Sequence, residues 1–138
     1  MSESRNVNVG LLVLRIGIGA MFIWHGFPKL SGGPELWGKL GQAMGALGIG
    51  FAPAFWGFMA AFSECVGGVC LIIGLGFRVA AALLAITMFV AAAMHLNAGD
   101  GLKGAAHAVE LCVVFISLII LGAGRYSLAD KMPIKWLK

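Results

Sequence analysis

Four apolar runs dominate this 138-residue chain, at about residues 9–27, 55–75, 79–96 and 105–121. Each reaches the ~17–20 residues that a helix needs to cross a bilayer core. Backbone N–H and C=O groups in lipid must be satisfied within their own segment, so runs of this length fold as helices. Composition agrees: hydrophobic residues make up 60% of the chain and charged residues 12%, with mean hydropathy +0.95. Soluble domains hold ~45–50% and ~25%. So short a chain cannot bury that excess in a core of its own, and a lipid bilayer must cover it. The fold class expected is all-α: one polytopic membrane domain over residues 1–138, built as an antiparallel bundle of four transmembrane helices.

The connections add detail. Residues 76–78 alone separate the second and third runs, which predicts a tight hairpin around Arg78. A short Gly-rich turn, Asn97 to Gly104, joins the third and fourth, and Gly122 and Gly124 stop the fourth. The first run ends at Pro28-Lys29. In the longer loop that follows, Leu36, Leu40, Met44 and Leu47 recur at helical spacing, which predicts a short amphipathic interfacial helix. Arg5, Arg78, Arg125, Lys131, Lys135 and Lys138 gather on one side of the bundle, and Lys29, Lys39 and Lys103 on the other. The positive-inside rule then puts both termini in the cytoplasm.

Several functions are excluded. The net charge is +4, but the ten Lys and Arg form no basic stripe, so no nucleic-acid partner is expected. Cys65, Cys70 and Cys112 form no C-x-x-C and read as small apolar filler. The first run carries Arg15 inside it and lacks a signal-peptide cleavage pattern. No Rossmann fingerprint, P-loop or nucleophile elbow is visible.

The candidate site residues are the ionisable groups in the apolar runs. Each costs roughly 2.5–3.5 kcal/mol to insert, which makes it a functional hypothesis by default. Glu64 falls near mid-membrane on the second span. His107 and Glu110 share a face of the fourth, because i and i+3 are helical neighbours. Glu64, Glu110 and His107 are the candidate catalytic or proton-relay groups. His25 and His95 would line the outer mouth, with Arg15, Phe62 and Trp24 as further ligand-binding residues. Phe22, Phe58 and Phe89 are also available as walls. Non-functional readings stand beside these. Arg15 either snorkels to headgroups or pairs with Glu64. His25 and His95 suit interfacial residues touching water. Glu64 suits a protonated buried carboxyl.

Three chemistries fit such a set. The single His107-x-x-Glu110 pair falls short of the two Glu-x-x-His motifs of a di-iron bundle. A haem between His25 and His95 lacks a supporting pattern. Neither metal nor haem is expected. An apolar slot with polar groups at one depth suits a quinone, which needs donors at its carbonyls and a proton path.

The residues also resemble a known family. Leu14-Arg15-Ile16-Gly17, then Phe22, His25-Gly26 and Lys29-Leu30, look like the first-helix signature of the DoxX family. Glu64 with Gly67-Gly68, then Leu71 to Leu75 and Arg78 followed by alanines, look like its second-helix ending and hairpin. Gly122-Ala123-Gly124-Arg125-Tyr126-Ser127-Leu128 resembles its closing motif, usually written Gly-Pro-Gly-Arg-Tyr-Ser-Leu-Asp, with Ala123 for the Pro and Ala129 for the Asp. The resemblance implies a four-helix protein of the bacterial cytoplasmic (inner) membrane, related to the membrane subunit of thiosulfate:quinone oxidoreductases. It implies a component of a quinone-linked oxidoreductase system, with a protein partner subunit or a homo-oligomer. The other expectations are a non-enzymatic scaffold or assembly partner of a redox-stress complex, and a small-molecule or proton transporter.

Overall fold

The computed structural model describes residues 2–132. Four long helices and one short one account for most of them: α1 (Ser2–Ser31), α2 (Gly33–Gly41), α3 (Pro53–Ile73), α4 (Phe77–Asn97) and α5 (Gly101–Leu121). A 3-10 turn, Gln42–Leu47, extends α2. α1, α3, α4 and α5 are long and apolar enough to span a membrane, and they form an antiparallel four-helix bundle. α1 packs on α3, α3 on α4 and α4 on α5. A T-shaped contact between Phe22 and Phe115, with ring centroids 5.0 Å apart, brings α1 against α5. The core beneath it includes Leu71, Phe77, Leu84 and Leu118.

Several boundaries differ from the sequence reading. α1 does not stop at Pro28 but continues through it to Ser31. Proline removes one backbone donor and disfavours a helix interior, yet here it lies near the end of a long helix. α3 and α4 each begin two residues earlier than their apolar runs, and α3 ends at Ile73, so the hairpin turns on Gly74-Leu75-Gly76, ahead of Arg78. Gly74 and Gly76 both have positive φ (70° and 58°), which glycine alone adopts without penalty.

Close helix contact rests on glycine at two crossings. A Cβ on Gly19 would lie 2.7 Å from the Gly68 carbonyl oxygen, and one on Gly68 would lie 2.7 Å from that of Gly19. α2 presses on the start of α3 in the same way, through Gly41 against Pro53 and Gly57 against Trp37. The interfacial segment is thereby fastened over the loop end of the bundle. The Trp37 indole donates to the Lys29 carbonyl at 3.0 Å, and Asn97 Nδ2 donates to the Ala46 carbonyl at 3.0 Å.

Arg15 departs from both roles expected of it. It is 1% exposed, so it does not snorkel, and it does not meet Glu64. Its guanidinium caps the C-terminal end of α3 instead. Nε donates to the Leu71 carbonyl at 3.0 Å and Nη2 to those of Ile72 (2.9 Å) and Tyr126 (3.1 Å). Nη1 donates to the Ala123 carbonyl, and the Phe77 ring lies 5.9 Å away. The last carbonyls of a helix have no intrahelical partner and carry its negative dipole end, so a buried cation is stabilised there. The closing segment folds back onto the same place: Leu128 N–H donates to the Ile73 carbonyl (3.0 Å) and Ala129 N–H to that of Gly74 (3.3 Å).

Replacing Arg15 by Leu is therefore expected to destabilise the protein by about 1–3 kcal/mol for each buried carbonyl left without a donor. Arg15→Lys should recover only part, because an ammonium lacks the planar five-donor fork. Thermal unfolding in mild detergent measures both.

Candidate functional site

Beyond the packing of Gly67 against Leu84, α3 and α4 enclose a cavity of about 550 Å³. Its long walls come from one face of each helix: Met59, Ala60 and Ser63 on α3, and Ile86, Thr87 and Val90 on α4. At 1.5 Å per residue, Leu83 to His95 spans ~18 Å along α4. Leu40, Gly41, Ala43 and Met44 of the interfacial segment roof it. Phe55 and Ile86 line the cavity while remaining exposed on the bundle surface, so it reaches the lipid-facing side between α3 and α4.

The walls are apolar, and the chemistry sits at the ends. Deep in the bundle, Glu64 is 4% exposed and forms an ion pair with Lys29. Lys29 Nζ donates to both carboxylate oxygens, at 2.8 and 2.7 Å. Two of its three protons are thus engaged, and the third remains for an acceptor in the cavity. Gly26 creates this site: a Cβ there would lie 2.8 Å from Glu64 Cβ, so glycine lets α1 approach closely enough for Lys29, one turn later, to reach the carboxylate. At the loop end, His95 faces the cavity, and its Nδ1 lies 2.7 Å from Asp100 Oδ2. Asp100 orients the ring and leaves Nε2 as the free nitrogen. Ser63 and Thr87 donate to Met59 and Leu83 carbonyls at 2.6 and 2.9 Å, so their oxygens keep acceptor capacity only.

Of the residues singled out in the sequence, the cavity brings together Glu64 and His95. The others lie elsewhere. Arg15 is locked at the far end of α3. His25, His107 and Glu110 are exposed on the outer surfaces of α1 and α5. Trp24 is 76% exposed, on the outside of α1. Phe62 stacks against Phe58 with centroids 5.9 Å apart, away from the cavity, and Phe22 is buried against Phe115. The aromatic walls are Phe55 and Trp56 instead. A shared depth did not imply a shared interior, because α5 turns the His107/Glu110 face away from the bundle. Lys29 and Asp100 were missed. Lys29 looked like a loop charge because Pro28 was taken as a helix end, yet it falls on the Phe22–Gly26 face of α1.

These features define a class: a small polytopic membrane protein with a lipid-accessible apolar cavity and, at its deep end, a buried carboxylate paired with a partly exposed lysine. The chain belongs to the DoxX family, whose model matches residues 10–97. It is 30% identical over 132 residues to the "Inner membrane protein YqjF" of Escherichia coli (strain K12), covering 94% of this chain and 96% of that one. It is 32% identical over 85 residues to the "Putative oxidoreductase CatD" of Bacillus subtilis (strain 168). That match covers 62% of this chain and 58% of CatD. No solved structure matches the chain at a significant level.

The ion pair makes a stability prediction. Lys29→Ala leaves the buried Glu64 carboxylate unpaired and should destabilise the protein, by less than the ~3–5 kcal/mol of a fully buried pair because Lys29 is itself partly exposed. The double variant Lys29→Met/Glu64→Gln removes both charges together and should lie much closer to the parent. Thermal unfolding of the single and double variants in nanodiscs gives the comparison.

Proposed function

We propose that the protein is a membrane-embedded component of a quinone-linked oxidoreductase system, and that the α3–α4 cavity holds the quinone. The observation that carries this is the Lys29–Glu64 pair at the deep end of an apolar, laterally reachable slot. A quinone partitions into the bilayer, so a side entrance suits it better than an aqueous mouth. Its ring would sit at the deep end and its isoprenoid tail along Met59, Ile86 and Val90. The free Lys29 proton hydrogen-bonds a quinone carbonyl and stabilises the negative charge that grows there on reduction. Glu64, held beside Lys29, accepts or returns the proton that accompanies each electron. His95, oriented by Asp100, supplies an imidazole nitrogen that can pass a proton at the solvent end. Electrons come from a donor carried by a partner subunit.

The name of CatD agrees with redox chemistry. A through-membrane pathway is less favoured, because Gly67 against Leu84 closes the slot below Glu64 and α3 runs unbroken. The proposed location is the inner membrane with cytoplasmic termini, since Arg5, Arg78, Arg125 and Lys131 lie on the terminal side.

Quinone is expected to co-purify from native membranes in mild detergent, identified by mass spectrometry of the extract. Glu64→Gln should weaken binding of a short-chain ubiquinone by about tenfold or more, since it loses the charged partner of Lys29. Titration calorimetry on the reconstituted protein reads this. A stable preparation that neither retains nor binds quinone sinks the proposal and leaves the scaffold reading.

A further inference from the structure

The outer surfaces of α1 and α5 carry the ionisable residues that the cavity does not use. His25, His107 and Glu110 are exposed within membrane-spanning helices, and no hydrogen bond or ion pair joins them to another described residue. A carboxylate facing hydrocarbon is unfavourable and is expected to be covered.

Helix geometry places all three on one side of the bundle. Successive residues turn by ~100°. On α1, Gly19 and Gly26 face α3 and Phe22 faces α5. Leu14, Met21 and His25 fall beyond Phe22, on the flank turned away from α3. On α5, Cys112 faces α4 and Phe115 faces α1. Lys103, His107, Glu110 and Leu121 fall beyond Phe115, on the flank turned away from α4. Both stripes therefore border the α1–α5 seam. This edge is also the least covered. Within the most apolar window of each span, 22% is buried for α1 and for α5, against 39% for α3 and 33% for α4.

Depth matches as well. The Phe22–Phe115 contact sets the register of the two helices. From that level His25 lies ~4.5 Å and Glu110 ~7.5 Å toward the loop end, within one helical turn of each other. α1 and α5 run in opposite directions. We infer that the α1–α5 face binds a second copy of this chain about a two-fold axis normal to the membrane, with His25 of each copy against Glu110 of the other. A two-fold interface is self-complementary, so one such contact is made twice. The cavity between α3 and α4 stays open to lipid on the opposite side.

The test uses the full chain in mild detergent and in liposomes. Light scattering after size exclusion should show a dimer. Glu110→Lys should raise its dissociation constant by about tenfold or more, and His25→Glu/Glu110→Lys should restore most of the loss. With Cys65, Cys70 and Cys112 replaced by Ala, copies carrying Met21→Cys mixed in liposomes with copies carrying Ser117→Cys, which is exposed on the Glu110 face of α5 at the level of Met21, should form a disulfide-linked dimer. Phe89→Cys, on the outward face of α4, should not. The thiol experiment leaves every membrane charge in place and so stands even if a charge variant misfolds. A monomer, a dimer indifferent to Glu110→Lys, or linkage through Phe89→Cys in preference to the Met21→Cys and Ser117→Cys pair would each overturn the inference.

Discussion

The terminal side of the bundle depends on one guanidinium in the dry interior. Arg15 answers the carbonyls that α3 leaves unpaired at Leu71 and Ile72, and those of Ala123 and Tyr126 beyond α5. One side chain thus ties α1 to the end of α3 and to the closing segment. Water cannot satisfy these groups at membrane depth, so the alternative to the guanidinium is a set of orphaned acceptors. A point charge would serve less well than a planar fork that reaches several carbonyls at once. The close crossing of Gly19 and Gly68 holds α1 near enough for the side chain to reach.

The other half of the bundle is organised by the opposite charge. Glu64 is neutralised within the membrane by Lys29, which projects from the end of α1 after the Gly26 contact. Arg15 gives four of its five N–H donors to backbone carbonyls, whereas Lys29 is bonded to a single carboxylate and borders the cavity. The two cations therefore do different work. Arg15, fully buried, ties three segments of the fold together. Lys29, partly exposed, neutralises Glu64 at the cavity. The roof over the cavity is held by Trp37 and Asn97, both bonded to backbone, so its position is set by α1 and α4 together.

Much of the fold was legible in the residues. Four apolar runs of spanning length permit little besides four helices, and short glycine-bearing connections make their neighbours antiparallel. The tight hairpin between the second and third spans came through, though its turn falls at Gly74–Gly76 and not around Arg78, and so did the helical spacing of Leu36 and Leu40. The site was legible only in part. Glu64 stood out because a mid-span carboxylate demands a partner, and His95 because it sits at a helix end. The partner was not readable: Pro28 disguised the continuation of α1 and made Lys29 look like part of a loop. Arg15 was visible as an anomaly, but its acceptors are backbone carbonyls, which leave no mark in a sequence.

What the sequence determined by itself is the environment and the count of helices, because transfer of apolar side chains into lipid depends on composition and length alone. What tertiary structure decided is which face of each helix turns inward. His25, His107 and Glu110 share the depth of the cavity and still lie outside it. The rotation of α1 and α5 is set by where glycine and alanine allow backbones to approach, as at Gly19, Gly26 and Ala108. Depth is a property of position along one helix. Facing is a property of pairs of helices, and it exists only once they have packed.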